Sequence, residues 1–489
     1  MGIETISSAG CFLILVLVLV AVFIFHSLFQ PLRSWMDYML PLLAIGKLCL
    51  IFVVLLVFLR FRLPLWLTIF GGALTAGLMG RSSLGDLAAV PVHVLGQQDF
   101  LVLCVMVSML LALAGIQQAS GQSQKLVQGM EGHIKNSNLR LVLFPALVGL
   151  LPMPGGALFS CPMIRDTARN MNLDNSQKAL INYWFRHVWE VAWPLYPGYA
   201  LACVLLGIPL TRLWLFTFPA VFLAIFIGWF FFLRRLKVVL PHTAPEDENT
   251  RGETASGATP AVAAEADTQA EIQPLGTVLL HGLPIAVTLA GAVVLGTLFD
   301  FFWPALPTQL AFCGSLVLAI SIAIYQGRGC CNKPLAGIVF NHNMVRILLM
   351  LFAIYVFKQV ITESGIVADL ANLGADTFFA CLAFIIIPFI SGALTGIFVG
   401  AVGLSLPLVL GMLDHPVLQE YTVPLVVMAI LSSNCGQMLS PVHVCLVVTC
   451  EFFKSTMGQL LKALVKPIAC AFVGAVCWVC VLVLFNPSF

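Results

Sequence analysis

Charge is what this chain has least of. Asp, Glu, Lys and Arg supply 9% of its 489 residues, where a soluble globular protein carries roughly 25%. An ordinary water-soluble enzyme is thereby excluded. Neither sign predominates: 24 Lys and Arg stand against 22 Asp and Glu, so no net field gathers nucleic acid. Catalytic signatures are missing as well. No GxSxG elbow, HExxH, Rossmann fingerprint or P-loop occurs, and without an ATP-binding motif the chain does not read as a primary pump. Most of the 15 cysteines (Cys11, Cys49, Cys104, Cys203, Cys381, Cys470, Cys477 and Cys480 among them) sit in apolar runs, where cysteine behaves as a small hydrophobe. The adjacent pair Cys330-Cys331 lacks the second pair of ligands a zinc site needs. No metal and no cofactor is expected. What the chain has in abundance is apolar surface: 60% hydrophobic residues and a mean hydropathy of +1.01. That composition requires a polytopic membrane protein with the lipid bilayer as its first partner.

A span needs ~20 predominantly apolar residues. Candidates are 11–29, 41–59, 64–80, 100–117, 183–206, 211–233, 277–299, 307–325, 344–361, 423–450 and 467–486. The first run has no basic residue before it and no clear cleavage site after it, so a retained helix is expected over 1–40. Between 234 and 276 the composition changes: Arg234, Arg235 and Lys237 precede an Ala/Thr/Pro/Glu-rich tract with seven acids. Such a tract cannot bury a core and reads as a flexible linker.

Two further apolar stretches, 141–164 and 377–411, are broken by Pro and Gly. If each enters the membrane and returns, the loops at 60–63, 120–140, 165–182, 234–276, 326–343 and 451–466 share one side and hold 17 Lys and Arg. The other side keeps only Arg33, Arg81 and Arg212. The positive-inside tendency selects this arrangement, with the linker cytoplasmic and the C-terminus outside. The expectation is therefore an all-α membrane protein with about eleven full spans and two re-entrant hairpins. Residues 41–233 and 277–489 each read as three spans, a hairpin, a broken helix and a last span, entering in opposite senses. Inverted repeats of this kind belong to secondary transporters, whose substrates bind where interrupted helices meet.

The breaks are explicit. The first hairpin carries Leu151-Pro152-Met153-Pro154-Gly155-Gly156-Ala157-Leu158-Phe159-Ser160-Cys161-Pro162 and the second Ser391-Gly392-Ala393-Leu394-Thr395-Gly396. Pro removes a donor and clashes with the preceding turn, while Gly lets a ligand approach backbone. Irregular backbone at membrane depth survives only inside protein or along a wet cavity. The following spans are interrupted at Arg186-His187-Val188-Trp189-Glu190-Val191-Ala192-Trp193-Pro194-Leu195-Tyr196-Pro197-Gly198 and at Ser432-Ser433-Asn434-Cys435-Gly436-Gln437-Met438-Leu439-Ser440-Pro441-Val442-His443.

The stretches LPMPGGALFSCPMI, NYWFRHVWEVAWPLYPG and QMLSPVHVCLVVTCEFFK resemble those of domain-of-unknown-function family 401, over nearly the whole chain except the linker. That family is grouped with the ion transporter superfamily, mostly secondary carriers of anions such as dicarboxylates and citrate, or sodium/proton antiporters. The resemblance implies two inverted repeats, each with a hairpin and a broken helix. Some superfamily members carry a Ser-Asn-Thr signature at their ion sites; here the triplet reads Ser433-Asn434-Cys435 and lies in the broken helix rather than the hairpin.

An ionisable side chain deep in a span costs at least ~2.5–3.5 kcal/mol and is a functional hypothesis by default. Glu190 is the one acid placed well inside a span, one helical turn after Arg186 with His187 alongside. Glu190 or His187 as proton carrier, Arg186 as a clamp for a substrate carboxylate, and an Arg186–Glu190 pair that merely locks the helix all stay open. Lys47, Arg346 and Lys358 are expected to snorkel or sit near helix ends. Trp184, Trp189, Trp193 and Tyr196 either line a site or serve as interfacial and packing aromatics. The candidate site is Gly155, Gly156 and Ser160 with Ser391, Gly392 and Thr395 at the hairpin tips, and Arg186, His187, Glu190 and Pro194 with Ser433, Asn434, Gln437 and His443 at the breaks. The leading expectation is a secondary transporter of a small anionic organic solute coupled to protons or sodium, in a prokaryotic cytoplasmic membrane. The alternatives are a cation/proton antiporter using Glu190 and, more remotely, an intramembrane enzyme or scaffold. A homodimer stays open, and nucleic acid is not a partner.

Overall fold

The computed structural model describes residues 40–485 apart from 81–82, 135, 151–155, 170, 235–273, 303–308, 329–334, 340 and 372–376. The expected first helix at 11–29, nearly all of the linker, Cys330-Cys331 and Gly155 lie outside these residues.

The described chain is helical almost throughout. The N-terminal half contains α1 (Leu40–Arg60), α2 (Leu65–Met79), α3 (Leu84–Leu95), α4 (Gln98–Ala119), α5 (Gln122–Glu131), α6 (Ser137–Gly149), α7 (Gly156–Thr167), α8 (Asn175–His187), α9 (Pro197–Leu206), α10 (Leu210–Thr217) and α11 (Pro219–Gly228). The C-terminal half contains α12 (Leu275–Leu280), α13 (Leu283–Phe302), α14 (Gln309–Gln326), α15 (Leu335–Val339), α16 (His342–Glu363), α17 (Ile366–Ala371), α18 (Thr377–Thr395), α19 (Phe398–Leu410), α20 (Pro416–Gln419), α21 (Thr422–Met438), α22 (Val444–Phe452) and α23 (Met457–Phe485). Among the described residues, seven stretches are long and apolar enough to cross a bilayer: Leu43–Arg60, Gln98–Ala119, Leu210–Leu233, Gln309–Gln326, His342–Glu363, Phe378–Thr395 and Met457–Phe485. Their outer faces are apolar, with Phe222, Leu215 and Val473 all more than half exposed, as a lipid-facing surface requires. The chain is a multi-pass membrane protein.

Six of the seven coincide with expected spans, and the seventh is the first arm of the second hairpin. Several helices fall where no span was expected, α3 and α5 among them. Ser83 caps α3 through a reciprocal box with Asp86, whose carboxyl the Ser83 hydroxyl and amide hold below the usual carboxylate range. The basic loop after α4 folds into α5. The helix starting the first broken span begins earlier than the apolar run, at a second capping box formed by Asp174 and Gln177.

Helix contacts come in matched pairs. In the N-terminal half α1 packs on α2 and α6 on α8; in the C-terminal half α13 packs on α14 and α18 on α21. Contacts between the halves are matched too. α2 lies on α16 and α4 on α14; α9 lies on α19 and α22 on α7; α8 lies on α23 and α21 on α10. Each hairpin return arm therefore carries the far piece of the other half's broken helix. A part-buried ion pair also ties the halves, Lys47 on α1 to Asp369 on α17 at 3.4 Å. Lys47 thus has a buried carboxylate partner instead of snorkelling.

Candidate site at the two broken helices

Each hairpin is held to the broken helix that follows it through backbone carbonyls of its first arm. At the end of α6 the final carbonyls have no partner within the helix, whereas Ile385 lies mid-way along α18. In the N-terminal half the donors are aromatic: Trp189 Nε1 to Ala146 O (3.0 Å), Trp193 Nε1 to Leu150 O (2.8 Å) and Tyr196 hydroxyl to Gly149 O (2.6 Å). In the C-terminal half the donors are small: Ser432 hydroxyl to Ile385 O (2.6 Å) and Ser440 hydroxyl to Ala393 O (2.7 Å). The two Trp and the Tyr are therefore caps on α6, a role that amphipathic composition does not reveal. The helices approach so closely that a Cβ at Gly149 would strike the Arg186 carbonyl and one at Gly392 the Ser433 carbonyl.

These contacts share one register. Ala146, Gly149 and Leu150 stand where Phe389, Gly392 and Ala393 stand, and Arg186, Trp189 and Trp193 where Ser433, Gly436 and Ser440 stand. In the same register Glu190 corresponds to Gln437. These two residues touch: Gln437 Nε2 donates to Glu190 Oε2 at 3.0 Å. Equivalent positions of the two halves thus meet on the line between them, where Glu190 is 7% and Gln437 0% exposed.

Around that contact the breaks collect ionisable and polar groups. Val188–Pro194 interrupts the first span as turns before Pro197 starts α9 at its first position, where a missing N–H costs nothing. Leu439–His443 interrupts the second before α22. His187 Nδ1 donates to the Tyr183 carbonyl at 2.6 Å, and His187 Nε2 lies 3.0 Å from His443 Nε2. The Tyr183 ring packs against both imidazoles, and its hydroxyl donates to Met438 O at 3.1 Å. Asn182 reaches Cys161 Sγ at 3.2 Å and the Thr449 hydroxyl at 3.3 Å, again joining the halves.

Arg186 is 6% exposed and lies over the N-terminus of α7, its guanidinium 2.8 Å from where a Gly156 Cβ would sit. Gly156 is thus the position whose missing side chain admits the guanidinium. Glu190, Cys161, Tyr196 and Cys445 stand near Arg186. The locking pair weighed from the sequence is not formed, since no ion pair joins Arg186 to Glu190 among the described residues. Several buried atoms lack hydrogen-bond partners among the described residues: Arg186 Nε, Ser433 Oγ, Asn434 Nδ2, Gln437 Oε1 and His443 Nδ1. A cavity of about 50 Å³ borders His187, Asn434, Leu431, Leu223 and Ala475.

The hairpin hydroxyls behave differently from expectation. Ser160 bonds to Gly156 O (3.3 Å), Ser391 to Ile387 O (2.8 Å) and Thr395 to Ser391 O (2.8 Å), each within its own helix. Ser391 and Gly392 lie inside α18, because the turn comes later, at Gly396 with φ +62°. That left-handed backbone is glycine's territory, and Gly396 sits against the His443 amide at the second break. Ser433, Asn434 and Gln437 are helical rather than broken, and Pro194 is buried in the first break. Sequence reasoning passed over Cys445 and Tyr183. Neither carries a local signal, since both are apolar-run residues until the fold brings them to His187 and His443.

The architecture is that of an α-helical, multi-pass membrane protein. The crystal structure of the YdaH transporter of Alcanivorax borkumensis is similar to this chain, with a TM-score of 0.50 at 15% identity, covering 78% of this chain and 85% of that one. The chain belongs to the family described as "Protein of unknown function (DUF401)", whose profile matches residues 43–244 and 298–484. No curated protein matches.

Proposed function

We propose that the chain is a secondary active transporter that moves a small anionic organic solute, coupled to protons or sodium, by alternating access. The observation that carries this reading is the contact of Glu190 with Gln437 at equivalent positions of the two halves, in the same region as Arg186, His187 and His443, all of them buried. A buried ionisable cluster is costly in a membrane and persists where function requires it. Matched packing of the halves supports an inverted repeat, the arrangement in which a site fixed between two breaks is opened alternately to either side. Arg186, with no ion pair among the described residues, supplies the planar donor fork that recognises a carboxylate. Glu190 and the histidine pair supply exchangeable protons. The domains are then 1–40, a first repeat over 41–233, a cytoplasmic linker over 234–276 and a second repeat over 277–489, in a prokaryotic cytoplasmic membrane with the C-terminus outside. Uptake into proteoliposomes under imposed proton and sodium gradients tests this. Gradient-driven accumulation of an organic anion, lost in Arg186→Gln, is the expected result; no flux across a screen of organic anions overturns it.

A second reading, a cation/proton antiporter, rests on Glu190 being held by a neutral amide rather than by a cation. Glu190→Gln then abolishes pH-dependent cation exchange in a folded protein. Exchange retained by that variant removes this reading.

A further inference from the structure

A ring nitrogen of each of His187 and His443 and the Sγ of Cys445 lie within 4.8 Å of one another, brought from the end of α8 and from the start of α22 in the other half. We propose that these three side chains form a binding site for one transition-metal ion of the Zn²⁺ class. His187 Nδ1 faces a backbone carbonyl at 2.6 Å. A carbonyl only accepts, so Nδ1 carries the proton and Nε2 presents its lone pair. Fixing a ligand imidazole through its other nitrogen is the usual outer-shell device of metal sites.

His443 shows the complementary signature. Its Nε2 lies 3.0 Å from that lone pair, while its Nδ1 has no partner among the described residues. A proton on Nε2 leaves a bare buried acceptor at Nδ1. A proton on Nδ1 sets two lone pairs against each other, an arrangement a shared cation resolves. Two nitrogens bound tetrahedrally to one Zn²⁺ at ~2.0–2.1 Å stand about 3.3 Å apart, so their separation opens by only a few tenths of an ångström as the rings turn toward the ion. Cys445 lies in the first turn of α22, part-exposed and free, and turns its sulfur inward as the third ligand. The donor set of two imidazoles and a thiolate selects Zn²⁺, Co²⁺ or Cu⁺ over Mg²⁺ and Ca²⁺. Binding converts the Cys445 thiol to thiolate and releases one proton. Arg186 opposes the incoming charge, and the thiolate with Glu190 offsets it.

The test uses the full chain in detergent, stripped with chelator and titrated with Co²⁺ as the probe. The expected result is one Co²⁺ per chain with a thiolate-to-cobalt charge-transfer band, displaced by Zn²⁺. Cys445→Ser loses the band and His443→Ala loses stoichiometric binding, while Cys450→Ser, on the same helix, keeps both. Cys445→His keeps the ion but not the band, which separates ligand loss from misfolding. Absence of saturable binding, or a band unchanged in Cys445→Ser, overturns the proposal. Resting additionally on the transporter reading, the ion clamps both breaks together, so Zn²⁺ blocks flux in the native protein and not in Cys445→Ser. Cobalt binding without any measurable flux counts against the carrier and leaves the metal site standing.

Discussion

Exchanging the two residues that meet between the halves probes the site most directly. Replacing Gln437 by Glu alone sets two carboxyl groups about 3 Å apart, at the present hydrogen-bond distance of 3.0 Å. Two full charges at that separation repel by about 5 kcal/mol at an effective dielectric near 20, unless one proton is shared between them. Glu190→Gln alone keeps an acceptor for the Gln437 amide and removes a buried charge, so stability changes by about 1 kcal/mol or less, within the usual spread for a neutral hydrogen bond. The double exchange, Glu190→Gln with Gln437→Glu, rebuilds the same amide-to-carboxylate bond with its direction reversed. Because the positions are equivalent in register, the double variant melts close to the native protein and the Gln437→Glu single variant melts lowest. Thermal unfolding in detergent, followed by tryptophan fluorescence at neutral pH and repeated at low pH, gives the comparison. Acid narrows the deficit of Gln437→Glu, since protonating one carboxyl removes the repulsion. A double variant no more stable than Gln437→Glu refutes the equivalence of the two positions.

Replacing Asp369 takes the carboxylate at 3.4 Å away from the Lys47 ammonium, whose side chain is only 12% exposed. Asp369→Asn costs about 1–3 kcal/mol, less than the 3–5 of a fully buried pair, and Lys47→Met combined with Asp369→Leu melts above Asp369→Asn. Gly149→Ala and Gly392→Ala drive a Cβ into a neighbouring carbonyl and lower stability by about 1–3 kcal/mol. Gly296→Ala, with nothing within 4 Å in an open stretch of α13, raises it by about 0.5–1 kcal/mol; the melting order of these variants decides the matter. Membrane-impermeant maleimide on Asp166→Cys and Glu420→Cys, both at exposed positions, labels 166 from the cytoplasmic face and 420 from outside. Labelling of both from one face removes the inverted topology.

The spans were legible because one apolar run of bilayer length has few alternatives. α4, α14 and α16 lie within two residues of expectation at either end. α3 and α5 were passed over because they are short and amphipathic, although the Ser83–Asp86 box was visible. The breaks were legible as chemistry, since Pro and Gly among apolar residues mark them. Their extent was not: α21 runs through Ser433, Asn434 and Gln437, where hydroxyl and amide side chains are compatible with helix once a neighbouring helix seats against them.

By itself the sequence determined that this chain is a multi-pass membrane protein, and it marked Arg186, His187 and Glu190 at a break as candidates for function. Those conclusions follow from local composition, because solvation by lipid acts on each segment separately. Tertiary structure alone decided that Gln437 holds Glu190, that His443 faces His187 with Cys445 beside it, and that the tryptophans cap a hairpin arm. Those pairings join residues more than forty positions apart. They depend on how helices of similar hydropathy dock, which close backbone approach and hydrogen-bond geometry select and composition cannot encode.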